Sequence, residues 1–158
     1  MRTLIVYNSK YGAAEKCVEL MRKELSGEIT AVNVRDGNAP SPDEYDRVLI
    51  GSNIHAGSIN KKLRNYAYRT TDSLIKRPIG IFLCCLTPEE KAQEYFSKNF
   101  PPVLVEHAKT TGVLGGALYF EKMNFLERFL LKKISGTTTS FENIDEERVR
   151  EFVQAFEA

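Results

Sequence analysis

The sequence predicts a three-layer doubly wound α/β fold, in which helices cover both faces of a five-stranded parallel sheet. Five short apolar runs alternate along the chain with segments whose apolar residues recur at helical spacing. This alternation is typical of right-handed crossover connections between parallel strands. In a chain of 158 residues it favours one domain, residues 1–158, with strand order 2-1-3-4-5.

The individual elements follow from these runs in chain order. The predicted strands are residues 3–7, 29–34, 47–51, 78–83 and 113–119. Continuous apolar strands are expected where both faces of a sheet are covered. The first predicted helix has an apolar face formed by Ala14, Val18, Met21 and Leu25. The next helix has a face formed by Ile59, Leu63, Tyr66 and Ala67. A further helix begins at Pro88, and the last helix has a face formed by Val149, Phe152, Val153 and Phe156.

Composition excludes several classes of protein. Lysine and arginine total 22 against 21 aspartate and glutamate, a net charge of +1, which excludes a strongly basic nucleic-acid binder. Hydrophobic residues make up 42%, so the chain is not an acidic disordered segment. The three cysteines fit neither a disulfide framework nor a metal-ligand spacing. With no predicted signal peptide or membrane span, we expect the cytoplasm or the inner face of the cell membrane.

The loop after the first predicted strand has the composition of an anion-binding turn. It consists of Ser9, Lys10, Tyr11, Gly12, Ala13 and Ala14. Small and hydroxylated residues let backbone N–H groups converge on an anion, and the helix N-terminus adds partial positive charge. The loop lacks the glycine spacing of dinucleotide and nucleoside-triphosphate motifs, so a monophosphate fits it better. An ordinary strand-to-helix turn is the alternative.

The loop after the third predicted strand suits a flat aromatic ligand. It consists of Ser52, Asn53, Ile54, His55, Ala56 and Gly57. These residues combine backbone donors and small side chains with an apolar wall, and His55 is a candidate to deliver a proton near neutral pH. An exposed loop histidine without such a role is the alternative. Because the strand ends in Gly51 and Ser52, without an acceptor aspartate, the chain is not a response regulator.

The loop after the fourth predicted strand begins with Cys84 and continues through Cys85, Leu86 and Thr87. Adjacent cysteines do not readily form a relaxed disulfide or chelate one metal, so we expect Cys84 to pack at the strand end. Cys85 lacks the C-x5-R loop of a phosphatase and receives no nucleophilic role. Ligands of open parallel sheets bind at the carboxyl ends of the strands, where these three loops are expected to meet.

A basic amphipathic insert, residues 121–136, separates the fifth predicted strand from the final helix. Its apolar face consists of Phe125, Leu126, Phe129, Leu130 and Ile134. Its positive charges are Lys122, Arg128, Lys132 and Lys133. Such a segment suits an anionic membrane surface or a bulky apolar substrate that carries carboxylates. A helix packed on its own domain is the alternative.

Taken together, these loops resemble those of the flavodoxin-like proteins that bind FMN. Within that family the sequence is similar to the flavodoxin-type protoporphyrinogen dehydrogenases that pass electrons to quinone. The similarity lies in residues 53–57 (N-I-H-A-G), 114–119 (L-G-G-A-L-Y) and 125–136 (F-L-E-R-F-L-L-K-K-I-S-G). Two positions depart from the family: Ala14 replaces a frequent hydroxyl residue, and His55 stands where an arginine is expected.

The resemblance implies FMN as cofactor, with residues 9–14 around its phosphate and residues 52–57 and 85–87 around its ring. It also implies an FMN-dependent oxidoreductase of haem biosynthesis that takes a small-molecule substrate, a porphyrinogen, and passes electrons to a quinone or a redox protein. An electron-transfer protein that serves partner redox proteins is the alternative. Such carriers typically use an acidic rim for docking, so the near-neutral charge and the basic insert disfavour it. A flavin-binding protein with a sensing role is a third hypothesis.

Overall fold

The five main strands form one parallel sheet in the predicted order. The computed structural model describes residues 1–10, 12–118, 124–135 and 141–158. The strands are β1 (Arg2–Asn8), β2 (Glu28–Asn33), β3 (Arg47–Asn53), β4 (Ile79–Cys84) and β5 (Thr110–Val113). Their order is β2-β1-β3-β4-β5, and all four neighbouring pairs are parallel. The predicted fold class and strand order are therefore confirmed.

Helices cover both faces of this sheet. They are α1 (Ala13–Glu24), α2 (Lys61–Arg69), α3 (Thr71–Leu74), α4 (Glu89–Asn99), α5 (Pro102–His107), α6 (Phe125–Ser135) and α7 (Glu146–Glu157). Helices α1 and α7 pack on one face, and α2, α4 and α5 pack on the other. Alternate residues of β1 divide between the two cores, since Leu4 and Val6 enter one and Ile5 and Tyr7 the other.

The fifth strand does not run over residues 113–119 as predicted. Strand β5 ends at Val113, and Gly115–Leu118 forms β6, which pairs antiparallel with β7 (Phe141–Ile144) in a separate two-stranded sheet. The chain turns at Gly115, whose φ of 88° is left-handed and whose missing side chain leaves room for the Asn143 carbonyl. The apolar run is continuous in sequence, so it conceals this turn. Residue 119 lies outside the described residues.

The predicted insert becomes helix α6, between β6 and β7. Its first turn is capped by Asn124, whose Oδ1 accepts a hydrogen bond from Glu127 N at 2.9 Å. Residues 121–123 and 136 of the predicted insert lie outside the described residues. Within the described ranges, no helix is both long and apolar enough to cross a bilayer.

The amino edge of the sheet is closed by a network around Arg47. This guanidinium is buried and donates hydrogen bonds to Thr3 Oγ1 at 2.7 Å, to Ser26 O at 3.0 Å and to Glu157 Oε1 at 2.7 Å. It also lies 5.2 Å from the centre of the Phe156 ring. The start of β3 is thereby joined to the last turn of α7.

Candidate functional site

The three predicted loops lie side by side at the carboxyl edge of the sheet. Strands β1, β3 and β4 are neighbours, with Asn8 opposite Ser52 and Asn53 opposite Cys84. Hydrogen bonds then join the loops directly, since Ile54 N donates to Cys84 O at 3.0 Å and Ala14 N donates to Asn53 Oδ1 at 3.1 Å. Of the predicted site positions, Tyr11 alone lies outside the described residues.

The first loop folds as a hydroxyl-braced turn at the start of α1. Gly12 adopts a φ of 96°, and its N–H donates to Ser9 Oγ at 3.0 Å. Since a hydroxyl accepts and donates at once, this contact leaves the Ser9 O–H available as a donor. The Ala14 N–H is held by Asn53. The turn can therefore offer an anion the Ser9 hydroxyl and the positive end of α1.

Asn33, at the end of β2, braces the first loop from the side. Its Oδ1 accepts from Ser9 N at 3.3 Å and from Arg35 N at 3.2 Å, and its Nδ2 donates to Ser9 O at 3.1 Å. Asn33 is not among the site residues predicted from the sequence. Its role could have been predicted, because β1, β2 and β3 all end in asparagine. The predicted strand order also places the end of β2 beside the end of β1.

The second loop is a tight turn whose backbone is hydrogen-bonded to Asn99 of α4. His55 and Ser58 exchange backbone hydrogen bonds of 2.9 and 3.0 Å, and Ala56 between them is left-handed, with a φ of 50°. Asn99 of α4 donates from Nδ2 to Gly57 O at 3.0 Å and accepts at Oδ1 from Ile59 N at 3.2 Å. A left-handed alanine is strained and needs such support.

His55 lies in this turn, and its surroundings lower the pKa of its imidazole. Its residue is exposed at the surface, yet the protein around the ring removes part of its hydration, which lowers the pKa of His55. The positive charges of Lys10 and Arg35 lower this pKa further. These surroundings therefore favour the neutral form of the imidazole.

Two of the three cysteines are in contact with each other, whereas Cys85 packs in the core on the other face of the sheet. Cys17 Sγ and Cys84 Sγ lie 3.5 Å apart, and both residues are buried. The contact with Cys17 and burial raise the pKa of the Cys84 thiol, and burial raises that of Cys85. Thiols in this state are poor nucleophiles, and their environment is that of packing residues.

Burial separates the predicted site residues into two layers. The inner layer is buried and supports the loops; its members are Ser9, Ala13, Ala14, Ser52, Asn53, Gly57 and Cys85. The outer layer is half-buried or exposed; its members are Lys10, Gly12, Ile54, His55, Ala56, Leu86 and Thr87. A ligand approaching the edge of the sheet meets the outer layer first. Ile54 and Leu86 give that layer apolar side chains suited to a flat ring.

Helix α6 adjoins this edge and exposes its apolar side. Phe125 is 85% exposed, and Leu126, Phe129 and Leu130 are exposed as well. The helix is tied to the first loop, because Lys10 Nζ lies 3.1 Å from Glu127 Oε2. Its last turn carries Lys132 and Lys133. Glu127 is a second contact that the sequence analysis missed, since 117 residues separate it from Lys10.

A phosphate-bearing ligand fits this edge in several respects. The Ser9 hydroxyl, the Lys10 ammonium and the start of α1 are suited to an anion. Gly116 packs closely against the third loop, where a methyl group would press on Cys85 and Leu86. Asn8, at the end of β1, has a buried Oδ1 without a hydrogen-bond partner. The edge thus combines anion donors with a polar atom that has no protein partner.

Three loops at the carboxyl edge of a 2-1-3-4-5 sheet, the first of them suited to a phosphate, define a flavodoxin-like protein. Residues 4–145 match the family model described as Flavodoxin domain, and the chain belongs to this family. It is 25% identical over 173 residues to the Leishmania major protoporphyrinogen IX dehydrogenase [quinone]. That alignment covers 99% of this chain and 75% of the relative.

Solved flavodoxins share the fold at low identity. The flavodoxin of Streptococcus pneumoniae TIGR4 superposes with a TM-score of 0.62 at 15% identity, over 99% of this chain and 98% of that one. The Fusobacterium nucleatum flavodoxin bound to flavin mononucleotide superposes with a TM-score of 0.58 at 8% identity, over 99% and 96% of the two chains.

Proposed function

We propose that this protein binds FMN at the carboxyl edge of its sheet, oxidises a porphyrinogen and passes the electrons to a quinone or a redox protein. One observation carries the proposal: in a flavodoxin domain, the Lys10–Glu127 ion pair ties a basic helix with an exposed apolar side to the phosphate-type loop. The added helix supplies a surface for a large, partly apolar molecule.

In this proposal, different residues contact the phosphate and the ring of FMN. Ser9 and Lys10 would hold the phosphate at the start of α1, with the Asn33 bridges fixing the loop. Ile54 and Leu86 would contact the ring from the second and third loops. FMN, when bound, supplies the acceptor for the electrons of the substrate. The Fusobacterium flavodoxin with bound flavin mononucleotide supports this choice of cofactor.

The relative from Leishmania major supports a porphyrinogen as substrate. A porphyrinogen is a broad apolar macrocycle with carboxylate side chains, so it suits exposed Phe125 and Phe129 together with the basic end of α6. Each two-electron oxidation removes two hydrogens from such a macrocycle, so one would leave with the electron pair as a hydride to the cofactor and the other as a proton. Neutral His55 would accept that proton, while Lys10 and Arg35 beside it favour the approach of a carboxylate.

The direct test is anaerobic mixing of the flavin-loaded protein with protoporphyrinogen. We expect the visible flavin absorbance to bleach and to return when a quinone is added. A protein that purifies colourless and does not quench FMN fluorescence would contradict the cofactor. Flavin that bleaches with protein reductants and ignores porphyrinogen would favour the electron-transfer alternative.

We also propose that α6 makes peripheral contact with the inner face of the cell membrane, where quinones reside. Its exposed apolar side would enter the bilayer interface, and Lys132 and Lys133 would attract anionic lipids. Replacing both lysines by glutamate should weaken sedimentation with phosphatidylglycerol-containing vesicles at low salt. The matched control reverses two exposed lysines elsewhere, Lys61 and Lys91. Equal binding by both double variants would contradict the contact.

A further inference from the structure

Asn8 carries a polar atom that the protein leaves unused. The residue ends β1, is 3% exposed, and its Oδ1 is closed off from solvent without a hydrogen-bond partner. Among the described residues it is the single buried side-chain oxygen or nitrogen in this state. A buried acceptor without a donor costs free energy, so such an atom in a folded protein calls for an explanation.

Other asparagines of the same edge show that the fold readily satisfies such groups. Asn33 uses both ends of its amide on Ser9 and Arg35. Asn99 uses both ends on the second loop and on its own helix. Asn8 lies between these braced positions, opposite Ser52 in the β1–β3 register and one residue before Ser9. Asn8 therefore lies at the strand end where two of the three loops proposed to hold the cofactor begin.

The chemistry of an acceptor selects the part of the ligand that it can contact. A carbonyl oxygen repels a phosphate dianion and needs an O–H or N–H donor. In FMN the phosphate and the ring are joined by a polyol chain with three hydroxyl groups, and this chain has to pass between the first loop and the other two. Because Oδ1 is closed off, these loops must part slightly as the ligand enters.

We infer that Asn8 is a specificity residue for the flavin, accepting a hydrogen bond at Oδ1 from a hydroxyl of the polyol chain. This inference rests on the proposed binding of FMN. Asn8 lies outside the residues that the sequence analysis assigned to the cofactor. Rotation of the amide by 180° would instead present an N–H to the phosphate. The two arrangements differ in the part of the ligand they require, so ligand analogues separate them.

The test compares Asn8→Leu and Asn8→Ala with the unaltered chain, using three flavins. FMN has polyol and phosphate, riboflavin has the polyol alone, and lumiflavin has neither. Fluorescence titration should show FMN and riboflavin binding about 5- to 10-fold more weakly to both variants, as for one lost hydrogen bond. Lumiflavin binding should stay within about twofold. Urea unfolding of the flavin-free Asn8→Leu chain should show equal or higher stability, because the substitution removes an unsatisfied polar atom.

The matched control is Asn99→Leu, the same substitution at a buried asparagine whose bonds are all made. It should lower the stability of the flavin-free chain. A comparable loss in Asn8→Leu, or equal weakening of all three flavins, would assign Asn8 a structural role and overturn the inference. Unchanged affinities would overturn it too. Weaker FMN with unchanged riboflavin would place the contact on the phosphate and refute the polyol assignment. If the unaltered chain binds no flavin, the proposed function itself fails.

Discussion

The two edges of the sheet differ in whether their buried polar side chains have hydrogen-bond partners. At the amino edge, Arg47 donates hydrogen bonds to Thr3, Ser26 and Glu157. At the carboxyl edge, Asn8 keeps an unused acceptor and Ala56 holds a left-handed backbone. The same parallel strands supply both edges. The difference is expected if the amino edge serves stability and the carboxyl edge binds the proposed ligand.

The largest test of this contrast is removal of Arg47. Arg47→Leu should lower the free energy of unfolding by about 3 kcal/mol, because Glu157 and the Thr3 hydroxyl lose a buried partner. Urea denaturation measures this loss. The affinity of the folded variant for FMN should remain within about twofold of the original. A variant that keeps its stability but loses affinity for FMN would contradict the assignment of stability to the amino edge and of ligand binding to the carboxyl edge.

Acid titration sharpens the same contrast. The Ser26 N–H, together with Arg47, holds the pKa of the Glu157 carboxyl below its usual range. A lowered folded-state pKa stabilises the protein above the unfolded-state pKa, about 4.3, and this stabilisation is lost as pH falls through the folded-state pKa. Glu157→Gln should therefore reduce the loss of stability below about pH 4.3. Identical acid unfolding profiles would contradict the coupling.

Local patterns predicted the sheet because buried parallel strands appear in sequence as continuous apolar runs. The same rule misplaced the fifth strand, since the turn at Gly115 depends on its pairing with Asn143. Periodicity likewise identified the apolar side of α6, but it does not report whether that side is covered. Exposure of Phe125 became evident only from the fold.

The bonds that shape the site are long-range, and this limits prediction from sequence. Asn33 reaches Ser9 across 24 residues, and Asn53 reaches Ala14 across 39. A loop composition indicates the type of ligand, but the partner of each N–H depends on which strands are neighbours. For this reason the sequence does not reveal that the N–H of Ala14, a predicted cofactor contact, is bonded to Asn53.

A smaller effect is expected at the carboxyl edge from Ser9→Ala. The variant removes the hydroxyl that braces Gly12 and that would donate to the phosphate. FMN should bind about 10-fold more weakly, whereas riboflavin, which lacks the phosphate, should be affected much less. The control is Ser41→Ala, which removes an exposed serine hydroxyl from the short turn at Pro42–Glu44. Equal losses for both flavins would assign the Ser9 hydroxyl to loop stability alone.

The smallest effect concerns the charge environment of His55, and it tests whether the carboxyl edge acts as one electrostatic unit. The chain has two histidines, so NMR titration follows His55 with His107 as an internal reference. Arg35→Gln removes one of the positive charges that lower the pKa of His55, so this pKa should rise. Lys10→Gln should act in the same direction and more strongly, because Lys10 is the larger of the two influences. The reference, His107, lies at the end of α5 and contacts Arg77 O. Equal shifts of both histidines would mean that the variants change the overall charge and not a local group, and His55 would lose its support as a base tuned by the first loop.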